Sequence, residues 1–229
     1  MEEFDKEEEI RKKNTEIKIF NVPFHLEETK ENIALTPSNL SKEQIINQAL
    51  KFHSQGNISE ASKYYQYFIN QGFKDYRVFS NYGIILKDIG NLKEAELYTR
   101  KAIKLNPYLV EGHSNLGTIL KDIGKLREAE MSACKAIELQ PDFAEAHLNL
   151  GIILRGLGKL KEAELSTRKA IEINPRYAEA HSNLGNILND LGKLKEAEIY
   201  TRKAIKLNPN FANAHSNLGN ILSDLGKLK

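Results

Sequence analysis

The chain has 229 residues, of which 41% are hydrophobic and 28% are charged, a composition that excludes collagen-like and wholly disordered proteins. Thirty-three Lys and Arg residues stand against thirty-one Asp and Glu residues, so the formal net charge of +2 favours neither nucleic acid nor an anionic membrane as a partner. The single cysteine, Cys134, excludes an internal disulfide and a cysteine-based zinc site.

Residues 1–41 form a charged leader ahead of the rest of the chain. Residues 1–16 are dense in Glu and Lys, and Pro23 and Pro37 interrupt the segment that follows, so the leader is predicted to be largely disordered. The acidic first residues do not resemble a signal peptide, and no apolar run has the length of a membrane-spanning helix. We therefore expect a soluble protein of the cytoplasm.

From residue 42 onward the sequence repeats itself every 34 residues. The tripeptide Asn-Leu-Gly recurs at this spacing from Asn115, Asn149, Asn183 and Asn217, and prolines, alanines and glycines keep the same period. The period defines five complete repeats, 42–75, 76–109, 110–143, 144–177 and 178–211, and the start of a sixth at 212–229. A fixed period of this length is typical of stacked supersecondary units.

Within one repeat the pattern predicts two amphipathic helices. In the fourth repeat, apolar residues recur three and four positions apart on both sides of Gly158. Glycine suits the end of the first helix because it readily adopts a positive φ, and Pro175 ends the second helix. Each repeat is therefore predicted to be a helical hairpin, and the array is predicted to be all-α.

These residues resemble the tetratricopeptide repeat, whose 34-residue pattern has preferred residues at positions 4, 7, 8, 20, 24, 27 and 32. In the fourth repeat those positions are His147, Leu150, Gly151, Ala163, Thr167, Ala170 and Pro175. The departures are His at position 4 and a small Thr or Ala at position 24, where the family usually has an aromatic residue. The resemblance implies a right-handed α-solenoid whose stacked hairpins leave a concave and a convex wall.

The resemblance also places one stripe of each first helix in the concave groove. Position 6 of every repeat is asparagine, and a carboxamide both donates and accepts hydrogen bonds, so it can hold a peptide backbone. A similar asparagine ladder lines the repeats of O-linked N-acetylglucosamine transferase; the alternative is that these asparagines only join neighbouring helices. The candidate partner-binding residues are Asn81, Asn115, Asn149, Asn183 and Asn217 at position 6, Asn186 and Asn220 at position 9, and Lys87, Lys121 and Arg155 at position 12.

Two charged patterns are less informative. A carboxylate clamp for chaperone C-termini has Lys and Arg at positions 5 and 6, whereas this chain has Ser or Leu and then Asn, so such docking is disfavoured. The second helices carry Arg-Lys pairs that suggest a basic row for RNA, but interleaved glutamates cancel their charge. The pairs Glu96 and Arg100, Glu164 and Arg168, and Glu198 and Arg202 have the i, i+4 spacing of helix ion pairs.

No pattern indicates catalysis, a cofactor or a metal. His113, His147, His181 and His215 recur one repeat apart, too far to share a zinc ion, and are predicted to be packing residues. Cys134 stands where neighbouring repeats have Arg, so we expect it on an outer face as an unreactive thiol. No Ser-His-Asp arrangement, paired carboxylate motif or phosphate-cradling loop rises above chance.

The sequence therefore predicts a non-catalytic scaffold that binds an extended or helical segment of a partner protein in the concave groove. Residues 212–229 keep the apolar pattern of an internal repeat and stop before a second helix, so we expect either a longer natural chain or self-association through this uncapped end. Two alternatives stay open. One is the substrate-recruiting arm of a larger transferase such as a glycosyltransferase, and the other is an assembly element that joins through its ends.

Overall fold

The structure, a computed structural model, describes residues 40–226, so all but the last two residues of the largely disordered leader predicted at 1–41 lie outside the described residues. All regular structure in residues 40–226 is helical. The eleven helices are α1 (Lys42–Ser54), α2 (Ile58–Asn70), α3 (Tyr76–Asp88), α4 (Leu92–Leu105), α5 (Val110–Ile123), α6 (Leu126–Leu139), α7 (Ala144–Gly156), α8 (Leu160–Ile173), α9 (Ala178–Asp190), α10 (Leu194–Leu207) and α11 (Ala212–Asp224).

The chain divides into two compact units after Lys74. The first unit contains the hairpin α1–α2, whose core includes the fully buried side chains of Tyr65 and Phe68. Its first helix begins with a capping box, in which Ser41 and Gln44 each accept a hydrogen bond from the other's backbone N–H. The second unit contains α3 to α11.

The ends of the helices follow the predicted signals. The glycine between the two helices of a repeat has a positive φ, +91° at Gly124 and +74° at Gly158. This conformation is sterically strained for any residue type that has a Cβ. The second helix of the fourth repeat, α8, ends at Ile173, two residues before Pro175, because proline has no N–H with which to continue the helix.

Contacts within the second unit show which helices face inward. The two helices of each hairpin contact each other, and each second helix contacts the first helix of the next repeat. The first helices α3, α5, α7, α9 and α11 also contact one another in sequence, whereas within the described residues successive second helices are not among the closely contacting pairs. The first helices of this unit therefore form its inner, concave side, and the second helices form its outer side.

Glycine at position 8 lets the two helices of a hairpin approach closely. A Cβ added at Gly83 would lie 2.5 Å from the Oγ1 of Thr99, and one at Gly151 would overlap Oγ1 of Thr167. The third repeat has Ala133 at this place, and there the nearest atom to an added Cβ at Gly117 is a backbone oxygen at 3.3 Å. The small residues at positions 8 and 24 thus meet at the crossing of the two helices.

The core lies between repeats as much as within them. One cluster joins Leu116 and Leu120 of the third repeat to Ile153 of the fourth, with Ala129 and Ala133 beneath them. A hairpin alone leaves these side chains exposed to water, so the third and fourth repeats stabilise each other. The predicted all-α solenoid is confirmed.

Candidate partner-binding groove

The inner helices place the predicted asparagines in one row along the concave side of the second unit. Asn81 and Asn183 are buried, whereas Asn115, Asn149 and Asn217 are half-buried. At position 9, Asn186 is half-buried and Asn220 is exposed. The row therefore contains asparagines that are packed between helices and asparagines that are accessible at the surface.

Part of this asparagine ladder joins neighbouring repeats. Nδ2 of Asn149 donates to Oγ of Ser114 at 2.9 Å, and Nδ2 of Asn217 donates to Oγ of Ser182 at 3.4 Å. Both serines occupy position 5 of the preceding repeat. The carboxamide oxygens of Asn149 and Asn217 accept no hydrogen bond from the described residues, so they are available to a donor on a ligand.

The ladder is not uniform, and variation at position 5 accounts for only part of this, because Asn115 follows a position-5 serine in the preceding repeat, Ser80, as Asn149 does. Leu148 replaces the serine that would face Asn183, and Nδ2 of Asn183 donates instead to Oγ1 of Thr167 at 3.1 Å. Nδ2 of Asn81 donates to the backbone oxygen of Arg77 in its own helix, at 2.8 Å. Nδ2 of Asn115 is buried and has no hydrogen-bond partner in the described residues.

The three candidate cations of the groove all have carboxylate neighbours. Lys87 pairs with Asp88 at 3.4 Å and Lys121 pairs with Asp122 at 2.7 Å, each within one helix. Arg155 instead reaches across to the next repeat, where its guanidinium donates two hydrogen bonds to the carboxylate of Asp190. Each of these three cations is therefore balanced locally by a carboxylate.

The outer helices carry ion pairs that link successive repeats. Glu164 accepts hydrogen bonds from Lys193 in the next repeat and from Arg168 one turn later in its own helix, and these donors lower the pKa of the Glu164 carboxyl below its usual value. Arg168 also reaches Glu196 at 3.0 Å. The predicted i, i+4 pairs are confirmed, including those of Arg100 and Arg202. Sequence spacing alone missed the bonds between repeats, which neutralise the suspected basic row.

The four repeated histidines make one and the same contact. Nε2 of each lies 2.9–3.0 Å from the backbone oxygen of the proline six residues earlier: His113 and Pro107, His147 and Pro141, His181 and Pro175, His215 and Pro209. A carbonyl oxygen only accepts, so Nε2 carries the proton and donates. Because each proline belongs to the preceding repeat, the histidines are packing residues, as predicted.

Cys134 lies on the outer helix α6 with an exposed side chain, so its predicted position on an outer face is confirmed. Partial burial of the sulfur, together with the nearby carboxylate of Glu130, raises the pKa of the Cys134 thiol above its ordinary value. The protonated thiol is a poor nucleophile at neutral pH.

Models of known protein families match these repeats. Three models described as tetratricopeptide repeat match the chain, one at residues 144–177 and 178–211, another at 76–108 and 110–143, and a third at 200–229. Together the matches leave only residue 109 uncovered between residue 76 and residue 229. The chain belongs to the tetratricopeptide-repeat family. No curated protein sequence matches it.

Several solved structures of tetratricopeptide-repeat proteins share its fold. YrrB, described as having an unusual peptide-binding site, is 23% identical with a TM-score of 0.61 and covers 77% of this chain and 91% of its own. MamA of Desulfovibrio magneticus RS-1 is 21% identical with a TM-score of 0.64 and covers 75% and 97%. A thermophilic protein of Thermus thermophilus is 18% identical with a TM-score of 0.66 and covers 80% and 100%. Identities this low show a shared fold.

None of the helices in residues 40–226 is long and apolar enough to cross a membrane.

Proposed function

We propose that this tetratricopeptide-repeat protein is a non-catalytic cytoplasmic scaffold that binds an extended or helical segment of a partner protein in its concave groove. The observation that carries the proposal is the row of position-6 asparagines on the inner helices, where Asn149 and Asn217 keep free carboxamide oxygens. Such oxygens accept hydrogen bonds from backbone N–H groups, which every peptide offers whatever its side chains.

The spacing of the ladder suits an extended peptide. Packed helices lie about 8–10 Å apart. An extended chain rises about 3.3 Å per residue, so one asparagine meets about every third residue of a bound strand. The charge-balanced pairs of Lys87, Lys121 and Arg155 favour recognition by shape and hydrogen bonding over recognition by charge.

The fold supports this use of the groove. YrrB, which has the same fold, is described as carrying a peptide-binding site. A solenoid groove presents a long surface on a rigid frame, so little entropy is lost in ordering the groove itself when a partner binds.

The hydrogen bonds of the ladder decide which variant tests the proposal. Replacing Asn149 or Asn183 by Ala also removes a hydrogen bond to the preceding repeat, which costs about 0.5–1.5 kcal/mol of stability. Asn115 has no such bond from its Nδ2, so Asn115→Ala separates binding from folding. Asn210→Ala is the matched control because Asn210 is an exposed residue of a loop outside the groove.

The experiment selects peptides from a random twelve-residue display library on the purified chain and measures their affinities by fluorescence polarisation. We expect Asn115→Ala to weaken the selected peptides about three- to tenfold, the loss of roughly one hydrogen bond, and Asn210→Ala to change nothing. Equal affinities for the wild type and a folded Asn115→Ala, Asn149→Ala, Asn183→Ala variant contradict the proposal.

A further inference from the structure

The outer side of the second unit has one interface that differs from the others. Position 25 is arginine in the second, fourth and fifth repeats (Arg100, Arg168 and Arg202) but cysteine in the third (Cys134). Position 23 is tyrosine in the second and fifth repeats (Tyr98 and Tyr200) but serine in the third and fourth (Ser132 and Ser166). Only the interface between the third and fourth repeats therefore combines a missing arginine with a missing tyrosine from the repeat that follows.

The interface between the fourth and fifth repeats shows what these two side chains normally do. Arg168 lies over the ring of Tyr200, 5.3 Å from its centroid, and donates to the Tyr200 hydroxyl at 2.8 Å. The guanidinium also donates to Glu164 of its own repeat and to Glu196 of the next. The ring of Tyr200 stacks on His181, with centroids 5.9 Å apart. Arginine and tyrosine together fill the outer seam of this interface.

The same seam between the third and fourth repeats is open. A cavity of about 470 Å³ occurs there, lined by Cys134 and Ser166 in place of the two large side chains. His147, the counterpart of His181, lines the cavity beside the apolar side chains of Leu150 and Leu154. This volume falls within the range of about 300–1,000 Å³ that is usual for ligand sites.

The carboxylates that would hold the arginine are still in place. Glu130 and Glu162 both line the cavity and correspond in the repeat to Glu164 and Glu196. Glu130 is paired with Lys159 at 2.7 Å. Glu162 makes no hydrogen bond or ion pair in residues 40–226, although Lys159 lies near enough to interact with it electrostatically, whereas its counterparts Glu128 and Glu196 each bind an arginine of the preceding repeat. Lys169, which also lines the cavity, is paired with Glu172.

We propose that this cavity, the outer cleft at Cys134, binds an arginine side chain of a partner protein, which takes the place of the arginine that the third repeat lacks. The guanidinium lies between Glu130 and Glu162, and the apolar stem lies against Leu150 and Leu154. The site is on the opposite wall from the asparagine ladder, so it does not depend on the proposed function of the groove.

Arginine fits the cleft better than lysine or an apolar residue. The planar guanidinium presents several N–H donors in a fork and can serve two carboxylates at once, whereas an ammonium acts as a compact point charge. Its three methylene groups cover apolar surface while the charged end remains at the rim. The chain itself uses arginine in this setting at Arg100 and Arg168, where it bridges two glutamates.

The test titrates the isotope-labelled chain with the neutral-ended pentapeptide acetyl-Gly-Ser-Arg-Ser-Gly-amide and follows backbone amide shifts by NMR. Matching peptides carry lysine or citrulline, which has the shape of arginine without its charge. Cys134→Arg refills the cleft with the residue of the neighbouring repeats. Cys134→Ser keeps the cleft open, and Met131→Arg adds the same charge to an exposed site on the same helix, outside the cleft lining.

We expect saturable shifts at Cys134, Glu162 and Ser166 with the arginine peptide, and binding at least about tenfold weaker with citrulline. Cys134→Arg abolishes these shifts, Glu162→Gln weakens binding, and Cys134→Ser and Met131→Arg retain it. The proposal is overturned if the arginine peptide causes no shifts at the cleft, if citrulline or lysine binds equally well, or if a folded Cys134→Arg chain binds as the wild type does.

Discussion

The close approach of the two helices at Gly151 gives a quantitative test of the repeat. An alanine Cβ at this position overlaps the Oγ1 of Thr167, a fully buried side chain that accepts the hydrogen bond of Asn183. Thr167 must therefore rotate or the helices must separate, and overpacking of this kind costs about 1–3 kcal/mol. The lost hydrogen bond adds about 0.5–1.5 kcal/mol, and the better helix propensity of alanine returns about 1 kcal/mol.

The third repeat supplies the matched control. Gly117 faces Ala133 rather than threonine, and the nearest atom to its added Cβ is a backbone oxygen at 3.3 Å. We expect Gly151→Ala to lower the free energy of unfolding by about 1–3 kcal/mol and Gly117→Ala to change it by less than about 1 kcal/mol. Adding Thr167→Ala to Gly151→Ala gives the fourth repeat the same two alanines as the Gly117→Ala variant of the third, so the two changes are coupled by at least about 1 kcal/mol.

The assay is urea unfolding followed by circular dichroism at equilibrium, with the slope of the free energy against denaturant checked in each variant. Repeat proteins can unfold in parts, so an unchanged slope is needed before the free energies are compared. Equal destabilisation by Gly151→Ala and Gly117→Ala, or additive effects of Gly151→Ala and Thr167→Ala, refutes the account of position 8.

Two further predictions concern the outer helices. The pKa of the Glu164 carboxyl is lower in the folded chain than its ordinary value of 4.5. Its ion pairs therefore stabilise the fold at pH values above 4.5, and this stabilisation is lost as the pH falls through the lower pKa of the folded chain. Lys193→Met should therefore destabilise by about 0.2–1 kcal/mol at pH 7 and have less effect near pH 3, with the exposed Lys195→Met as control; a pH-independent loss contradicts this. Because the thiol pKa of Cys134 is raised, iodoacetamide at pH 7.5 should alkylate it more slowly than a cysteine peptide, and Glu130→Gln should speed the reaction.

The positions of the helices could be predicted from the sequence because the signals that set them are local. Gly158 and Pro175 act within one turn of the chain, and the apolar period identifies the buried face of each helix. Because these local signals recur every 34 residues, the same two helices are predicted in each repeat. The same register correctly placed Cys134 on an outer face and identified the repeated histidines as packing residues. Binding by the asparagine ladder stays a prediction.

The hydrogen-bond partners of the candidate groove residues were decided by the tertiary structure. Asn149 and Asn183 occupy the same position in their repeats, yet one bonds to Ser114 and the other to Thr167, because the neighbour at position 5 differs. The ion pairs between outer helices join residues 28 or 29 apart in the chain, as Lys193 and Glu164 do. Such contacts depend on how far one hairpin is shifted and rotated against the next, and the cavity at Cys134 depends on two substitutions that meet only in the stacked array.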